Sequence, residues 1–139
     1  MKLWHCAGAR SFRPLWCLEE MGLAYDLRLM VFPPRFTEPD YLELNPFGTV
    51  PTFTDGDTLM TESTGICHYL AERYGPTPLA VRPDEPDYGC YLNWLYQSDS
   101  TLTFPQTLVL RYGVFESEER RLPQAVEDYR IVFHGRLKK

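Results

Sequence analysis

The sequence lacks any apolar run near the ~18 residues that a membrane helix needs, which argues against a membrane span. It also lacks a basic excess: 19 acidic residues oppose 14 Lys and Arg, and the formal net charge is -5. This balance argues against a sequence-independent nucleic-acid surface, which depends on clustered positive charge. No secretory leader is recognisable at the N-terminus, because His5 and Arg10 interrupt its apolar stretch. We therefore expect a cytoplasmic protein.

Paired cysteine motifs are also missing. The four cysteines, Cys6, Cys17, Cys67 and Cys90, form no CxxC pair, and only three histidines accompany them. A structural metal site is therefore not expected. Free thiols of this kind are typical of a reducing compartment.

The first 76 residues alternate between strand and helix signals. Ser11 is a good N-cap before an apolar helical face, and Gly22 is a good stop for that helix. An Asp-Gly-Asp turn at 55–57 lies between two short strand-like runs and predicts a hairpin. In chain order, the predicted elements are strand 1–6, helix 11–22, strand 25–31, a helical turn at 37–44, strands 50–54 and 58–61, and helix 63–74.

The second part of the chain follows a segment rich in proline. Residues 75–86 read GPTPLAVRPDEP, with four prolines in twelve residues, which indicates a stiff, exposed linker. Beyond it, helical periodicity predicts a long helix from 87 to about 112, kinked at Pro105, and another from 124 to 137. The predicted domains are therefore residues 1–76 and 87–139, joined by a linker at 77–86.

Three segments in fixed order carry a family resemblance. They are GARSFRPLWCLEEMGLAYD, then NPFGTVPTF, then TES before a helix, followed by the Pro-rich linker. Together they resemble a soluble, bacterial-like glutathione S-transferase. This resemblance implies an α/β thioredoxin-like N-terminal domain of order βαβαββα, followed by an all-α C-terminal domain. Glutathione would be the co-substrate, with no metal.

The resemblance assigns glutathione contacts to two motifs. Val50-Pro51 matches the segment whose exposed backbone holds the cysteinyl part of glutathione, as an added strand would. Glu62 and Ser63 match the family's glutamate-serine pair, which binds the γ-glutamyl end where a helix N-terminus attracts a carboxylate. Simple helix capping by Ser63 is the alternative reading and is compatible with ligand binding.

The reaction requires a thiolate, and one hydroxyl hydrogen bond plus a helix N-terminus can lower the thiol pKa enough. Ser11 is the catalytic candidate, with Arg10 and Phe12 beside it as glutathione contacts. Two alternatives stay open: the hydroxyl caps its own helix, or a shifted alignment gives the role to a backbone amide at Gly8 or Ala9. Bacterial relatives often carry cysteine immediately before this serine, whereas here the residue is Arg10.

Three further residues enter with the resemblance. Arg35 matches a basic residue near the glycine carboxylate of glutathione, and Asp99 matches an acidic residue that reaches a partner subunit's glutathione. For both, a solvated surface charge is the alternative. Cys6 lacks a CxxC partner, so we expect a buried structural thiol rather than a reductase nucleophile.

The expected activity is conjugation of the glutathione thiolate to small hydrophobic electrophiles, in a homodimer. A non-catalytic glutathione-binding or dimerisation module is the first alternative, and a glutathione-dependent thiol-disulfide reductase the second. Family members continue through several more helices, so we expect an incomplete helical domain without the electrophile pocket. Whether this is a fragment or a natural short form is left open.

Overall fold

A computed structural model describes residues 1–138, which form two compact units, Met1–Val81 and the chain from Arg82 onwards. The division falls inside the Pro-rich segment. None of the helices in the described residues combines the length and apolar character needed to cross a bilayer.

The first unit is built on a four-stranded mixed sheet. Its strands are β1 Lys2–Cys6, β2 Asp26–Met30, β3 Thr52–Asp55 and β4 Thr58–Met60. The order across the sheet is β2-β1-β3-β4; β1 pairs in parallel with β2 and antiparallel with β3, and β3 and β4 form a hairpin. The predicted hairpin is thereby confirmed, with Gly56 in its turn at φ +55°.

Four helices complete this unit. They are α1 Phe12–Glu20, α2 Pro34–Thr37, α3 Tyr41–Leu44 and α4 Ser63–Tyr74. The thioredoxin-like fold class is confirmed. The single helical turn expected at 37–44 is instead two short helices, since the first begins at Pro34, whose ring fixes a helical φ at a position that needs no amide donor.

The core lies on both faces of the sheet because neighbouring residues of a strand point to opposite sides. Leu3 of β1 packs in one cluster with apolar residues of β3, α1 and α4: Leu18, Phe53, Ile66 and Leu70. Cys6 lies on the other face with Met30, Tyr41 and Val50. The first residue of β3, Thr52, pairs with Trp4 in the middle of β1, and Val50 just before β3 packs in one cluster with Cys6 at the end of β1.

The second unit is helical. It contains α5 Tyr88–Ser100, α6 Thr103–Leu110, a π-helical turn Arg111–Phe115, a 3-10 turn Glu118–Arg120 and α7 Pro123–Leu137. The predicted single helix to about 112 is wrong, because the break comes at Thr101–Leu102 and not at Pro105. Pro105 lies in the first turn of α6, where an amide hydrogen has no intrahelical acceptor.

Candidate functional site

The turn between β1 and α1 is organised around the Ser11 hydroxyl. Ser11 is fully buried. Its Oγ shares a hydrogen bond with His5 Nδ1 at 2.8 Å, accepts one from the Cys6 N–H at 3.2 Å, and lies 3.4 Å from the Cys6 carbonyl oxygen. The hydroxyl therefore fastens the start of α1 to the last residues of β1.

The side-chain cap expected of Ser11 is absent. Ser11 occupies the N-cap position of α1, but its backbone is already helical at φ -60° and ψ -11°, and its side chain makes no capping hydrogen bond. A cap needs an extended N-cap residue whose oxygen turns back to the helix amides. The Ser11 hydroxyl instead forms hydrogen bonds with His5 and Cys6. A role for Ser11 at the glutathione sulfur stays a prediction.

Burial of His5 has a consequence for stability. Burial lowers the pKa of its imidazole, and a hydrogen bond to the Ser11 backbone opposes this shift only in part. The folded chain therefore binds a proton at His5 less readily than the unfolded chain does. Below about pH 6.5 the unfolded state takes up the extra proton, so the free energy of unfolding falls as the pH falls.

We expect His5→Asn to remove this contribution. Urea unfolding of the wild type between pH 7 and about 5.5 should show the steeper loss of stability, with His5 contributing up to about 1.4 kcal/mol per pH unit. The variant's curve should be flatter in the same window. Equal slopes for the two proteins would show that His5 does not titrate differently on folding.

Arg10 and Phe12 flank Ser11 on the surface. Both side chains are exposed, Phe12 by 54%. The Phe12 ring packs against Trp16 one turn along α1, with ring centroids 5.8 Å apart. Both predicted contact residues are therefore accessible to a ligand at this turn, unlike Ser11 between them.

The Val50-Pro51 segment lies beside the same turn. Its peptide bond is cis, and the pairing of β3 with β1 begins at Thr52, so the Val50 N–H and C=O lie outside that ladder. Continuing the Trp4↔Thr52 register by two residues places Val50 beside Cys6, and both side chains belong to one buried cluster. The predicted backbone-binding segment thus adjoins the end of β1.

A buried polar network holds this segment. Asn45 is fully buried; its Nδ2 donates to the Thr49 carbonyl at 2.9 Å and to Thr52 Oγ1 at 3.1 Å, while its Oδ1 accepts from the Phe47 N–H at 3.1 Å. Tyr41 Oη contacts the same Thr49 carbonyl at 2.6 Å and the Thr52 hydroxyl at 2.5 Å. The loop before Val50 is therefore fixed from both sides by side chains.

Arg35 lies on α2 and packs across this loop. Its side chain is exposed and its guanidinium lies 4.8 Å from the Phe36 ring centroid. Its Cβ lies only 2.5 Å from the position that a Cβ on Gly48 would occupy. Arg35 therefore lies beside Gly48 in the loop that precedes Val50, and its stem accounts for the glycine at position 48. Its contact with the glycine carboxylate of glutathione stays a prediction.

The start of α4 brings in a residue that the sequence did not single out. Glu62, not Ser63, is the N-cap of α4, with an extended backbone and no side-chain cap; Ser63 is the first helical residue and is only 3% exposed. Arg13 Nη1 of α1 donates to Ser63 Oγ at 3.1 Å. A guanidinium, a hydroxyl and free helix amides therefore meet at one point.

Nothing in the local sequence pattern identifies Arg13, because an arginine in a first helical turn is usually a solvated charge. Its partner lies 50 positions away in the chain, and only the packing of α1 against α4 joins them. The one available signal was charge, because Arg13 is a positively charged residue on the helix that begins at the predicted site.

Two other candidates remain. Asp99 is on α5 in the second unit and is partly buried. Cys6 is fully buried, and burial, together with the negative charge of Glu38, raises the pKa of its thiol. The expected burial of the Cys6 thiol is confirmed, and this burial disfavours Cys6 as a reductase nucleophile.

Comparison with known proteins identifies the family of the N-terminal domain. Residues 8–73 match the family model "Glutathione S-transferase, N-terminal domain". Glutathione S-transferase hmp2 of Hypomyces subiculosus is 34% identical over 104 residues, covering 68% of this chain and 49% of the relative. Glutathione S-transferase 3 of Schizosaccharomyces pombe is 29% identical over 100 residues, covering 72% of this chain and 41% of the relative.

A solved structure shows the same fold over nearly the whole chain. The theta class glutathione S-transferase of Xanthomonas axonopodis pv. citri, crystallised with glutathione bound, superposes with a TM-score of 0.79 at 27% identity, covering 98% of this chain and 66% of that one. The chain spans less than half the length of the two curated relatives. Through its thioredoxin-like N-terminal domain, the chain belongs to the glutathione S-transferase family.

Proposed function

We propose that the first unit binds glutathione at the point where the β1–α1 turn, the Val50 loop and the start of α4 meet. The observation that carries this proposal is the Arg13–Ser63 hydrogen bond, which joins the start of α1 to the start of α4. The γ-glutamyl carboxylate of glutathione would bind there, at a helix N-terminus beside a guanidinium. Glu62, exposed at the N-cap, would pair with the α-amino group.

The cysteinyl part of glutathione would pair with the backbone of Val50. Its N–H and C=O lie outside the β1–β3 ladder, so an extended peptide can add there as a short strand. Such a peptide places its cysteine sulfur toward the Ala7–Ser11 turn, because Val50 just before β3 packs in one cluster with Cys6 at the end of β1. Pro51 would follow Val50 at the end of this binding segment, and Arg35 would bind the carboxylate of the glycine residue of glutathione.

Two groups at the turn can stabilise the thiolate form. Because the Ser11 hydroxyl is bonded to His5 and Cys6, we assign it to holding the turn in shape. The positive charge of the exposed Arg10 and the backbone N–H groups of the turn would stabilise the negative charge on the glutathione sulfur. This arrangement needs no general base, since the nucleophile is the deprotonated sulfur.

Replacing Arg10 with glutamine should raise the pKa of the bound glutathione thiol by roughly 0.6 to 2.4 units. A unit charge about 5 Å from the sulfur contributes about 0.8 kcal/mol at the dielectric constant of water and about 3.3 kcal/mol at an effective dielectric constant of about 20, and one pKa unit is about 1.4 kcal/mol. The measurement is the ultraviolet absorbance of the thiolate as a function of pH at saturating glutathione. Arg82→Gln, an exposed arginine in the second unit, is the matched control and should leave the pKa unchanged. An Arg10→Gln pKa equal to the wild type would remove Arg10 from this role.

Transfer of the glutathione sulfur to a small hydrophobic electrophile, in a homodimer, is the activity that family membership supports best. Conjugation of glutathione to an aryl halide tests it directly. The buried Ser11 hydroxyl favours one competing function, a glutathione-binding module without turnover. Saturable glutathione binding with no conjugate formed would support that second function, whereas conjugate formation above the uncatalysed rate would support the first.

A further inference from the structure

A second contact between α1 and α4 involves two cysteines that the proposed glutathione site does not use. Cys17 lies one helical turn beyond Arg13, and Cys67 lies one turn beyond Ser63. The Cys17 Sγ is 4.0 Å from the Cys67 carbonyl oxygen, which brings the two cysteines together where α1 packs against α4. Two successive turns of α1 therefore face two successive turns of α4.

We propose that Cys17 and Cys67 form a reversible disulfide that links α1 to α4 when the protein meets hydrogen peroxide. Both cysteines are free and only partly buried, so a molecule as small as peroxide can reach them. Cys6 lacks this geometry, because it is fully buried on the opposite face of the sheet. Cys90 is exposed on α5 of the second unit and serves as the control.

The electrostatics divide the roles of the two thiols. A hydrogen bond from the Cys67 thiol lowers the pKa of Cys17, whereas that same contact and burial raise the pKa of Cys67. Cys17 is therefore the thiolate that attacks, and Cys67 is the thiol that resolves. When protonated, the Cys17 thiol donates to the Cys67 carbonyl oxygen at 4.0 Å and to the Met21 sulfur at 3.8 Å. Both hydrogen bonds are long and therefore weak, so losing them on deprotonation costs little.

The reaction balances with peroxide as the oxidant. The Cys17 thiolate attacks one peroxide oxygen and the O–O bond breaks, which gives Cys17 sulfenic acid and, after protonation of the leaving hydroxide, one water. The Cys67 sulfur then attacks the Cys17 sulfur, the S–O bond breaks, and the Cys67 proton leaves with the hydroxide as a second water. In sum, two thiols are oxidised to one disulfide and one peroxide is reduced to two waters.

The test is oxidation of the full chain with hydrogen peroxide, followed by alkylation and peptide mapping under non-reducing conditions. We expect a monomer whose mass falls by two hydrogens, a linked pair of peptides carrying Cys17 and Cys67, and full reversal by dithiothreitol. The midpoint of thermal unfolding should rise by roughly 10 °C on oxidation, since the bridge closes a long loop.

Matched variants make the outcome decisive. Cys90→Ser should keep the linkage and the stability shift, whereas Cys17→Ser and Cys67→Ser should each lose both. Cys17→Ala provides the same test if the serine variant fails to fold. Linkage through Cys6 or Cys90, or oxidation of Cys17 to sulfinic acid without a linked peptide, would overturn the proposal. Because this assay needs no glutathione, its failure is distinguishable from failure of the proposed function.

Discussion

Replacing Ser63 with alanine is expected to weaken glutathione binding by about 10- to 100-fold, because hydrogen bonds to a charged group contribute about 1.5–3 kcal/mol. The change removes the hydroxyl that accepts from Arg13 at 3.1 Å and that we place against the γ-glutamyl carboxylate. It also leaves the guanidinium without this acceptor. Calorimetric titration of the variant with glutathione measures the loss.

Two further variants separate binding from folding. Ser63→Thr keeps a hydroxyl at the same position and should recover most of the affinity. Ser100→Ala removes a serine hydroxyl from α5, where it donates to the Tyr96 carbonyl at 3.0 Å, and should not alter binding. If Ser63→Ala binds as tightly as the wild type with an unchanged unfolding midpoint, the carboxylate does not lie at the start of α4.

The second large effect is expected at Gly48. Gly48→Ala should lower the free energy of unfolding by about 2–5 kcal/mol, from two additive sources. Its φ of +59° is in the left-handed region, which costs a residue with a Cβ about 1–2 kcal/mol. The new Cβ would also lie 2.5 Å from Arg35 Cβ and 3.0 Å from Leu42 Cδ2, an overpacking that typically costs about 1–3 kcal/mol.

The hairpin glycine supplies a matched control. Gly56 has nearly the same φ, +55°, but a Cβ there would meet nothing within 4 Å. Gly56→Ala should therefore show only the conformational cost, and the difference between the two variants isolates the clash. Gly48→Ala should also weaken glutathione binding, since relieving the clash moves the loop that presents Val50. Equal destabilisation by the two alanines would contradict the close packing of Arg35 over this loop.

The fold could be predicted from local signals because those signals agree with its tertiary structure. Alternation and turn residues are sufficient for the β3–β4 hairpin, and the pattern at 63–74 is sufficient for α4. The long helix after the linker was misjudged for a physical reason. Proline is tolerated in a first turn as well as at a kink, and the sequence alone does not distinguish these two positions.

From the sequence, candidate site residues could be named only where a motif is contiguous. Val50-Pro51 and Glu62-Ser63 are contiguous motifs, so their residues could be named from the sequence. The Ser11 hydroxyl faces His5 and Cys6 because β1 and α1 fold against each other, and this is not visible in a capping pattern. The hydrogen bond from Arg13 to Ser63 depends on the packing of α1 against α4, so the residues next to either one in the sequence give no sign of it.

The most direct test of the account is an NMR titration of the isotope-labelled chain with glutathione, followed through its backbone amides. We predict saturable shifts centred on Ala9, Val50 and Ser63, with a shift of the Arg13 side-chain signal. The amide signals of the β3–β4 turn at 55–57 should not shift. Absence of saturation, or shifts that cluster at that turn instead of the three segments, would contradict a glutathione site at the start of α1 and α4.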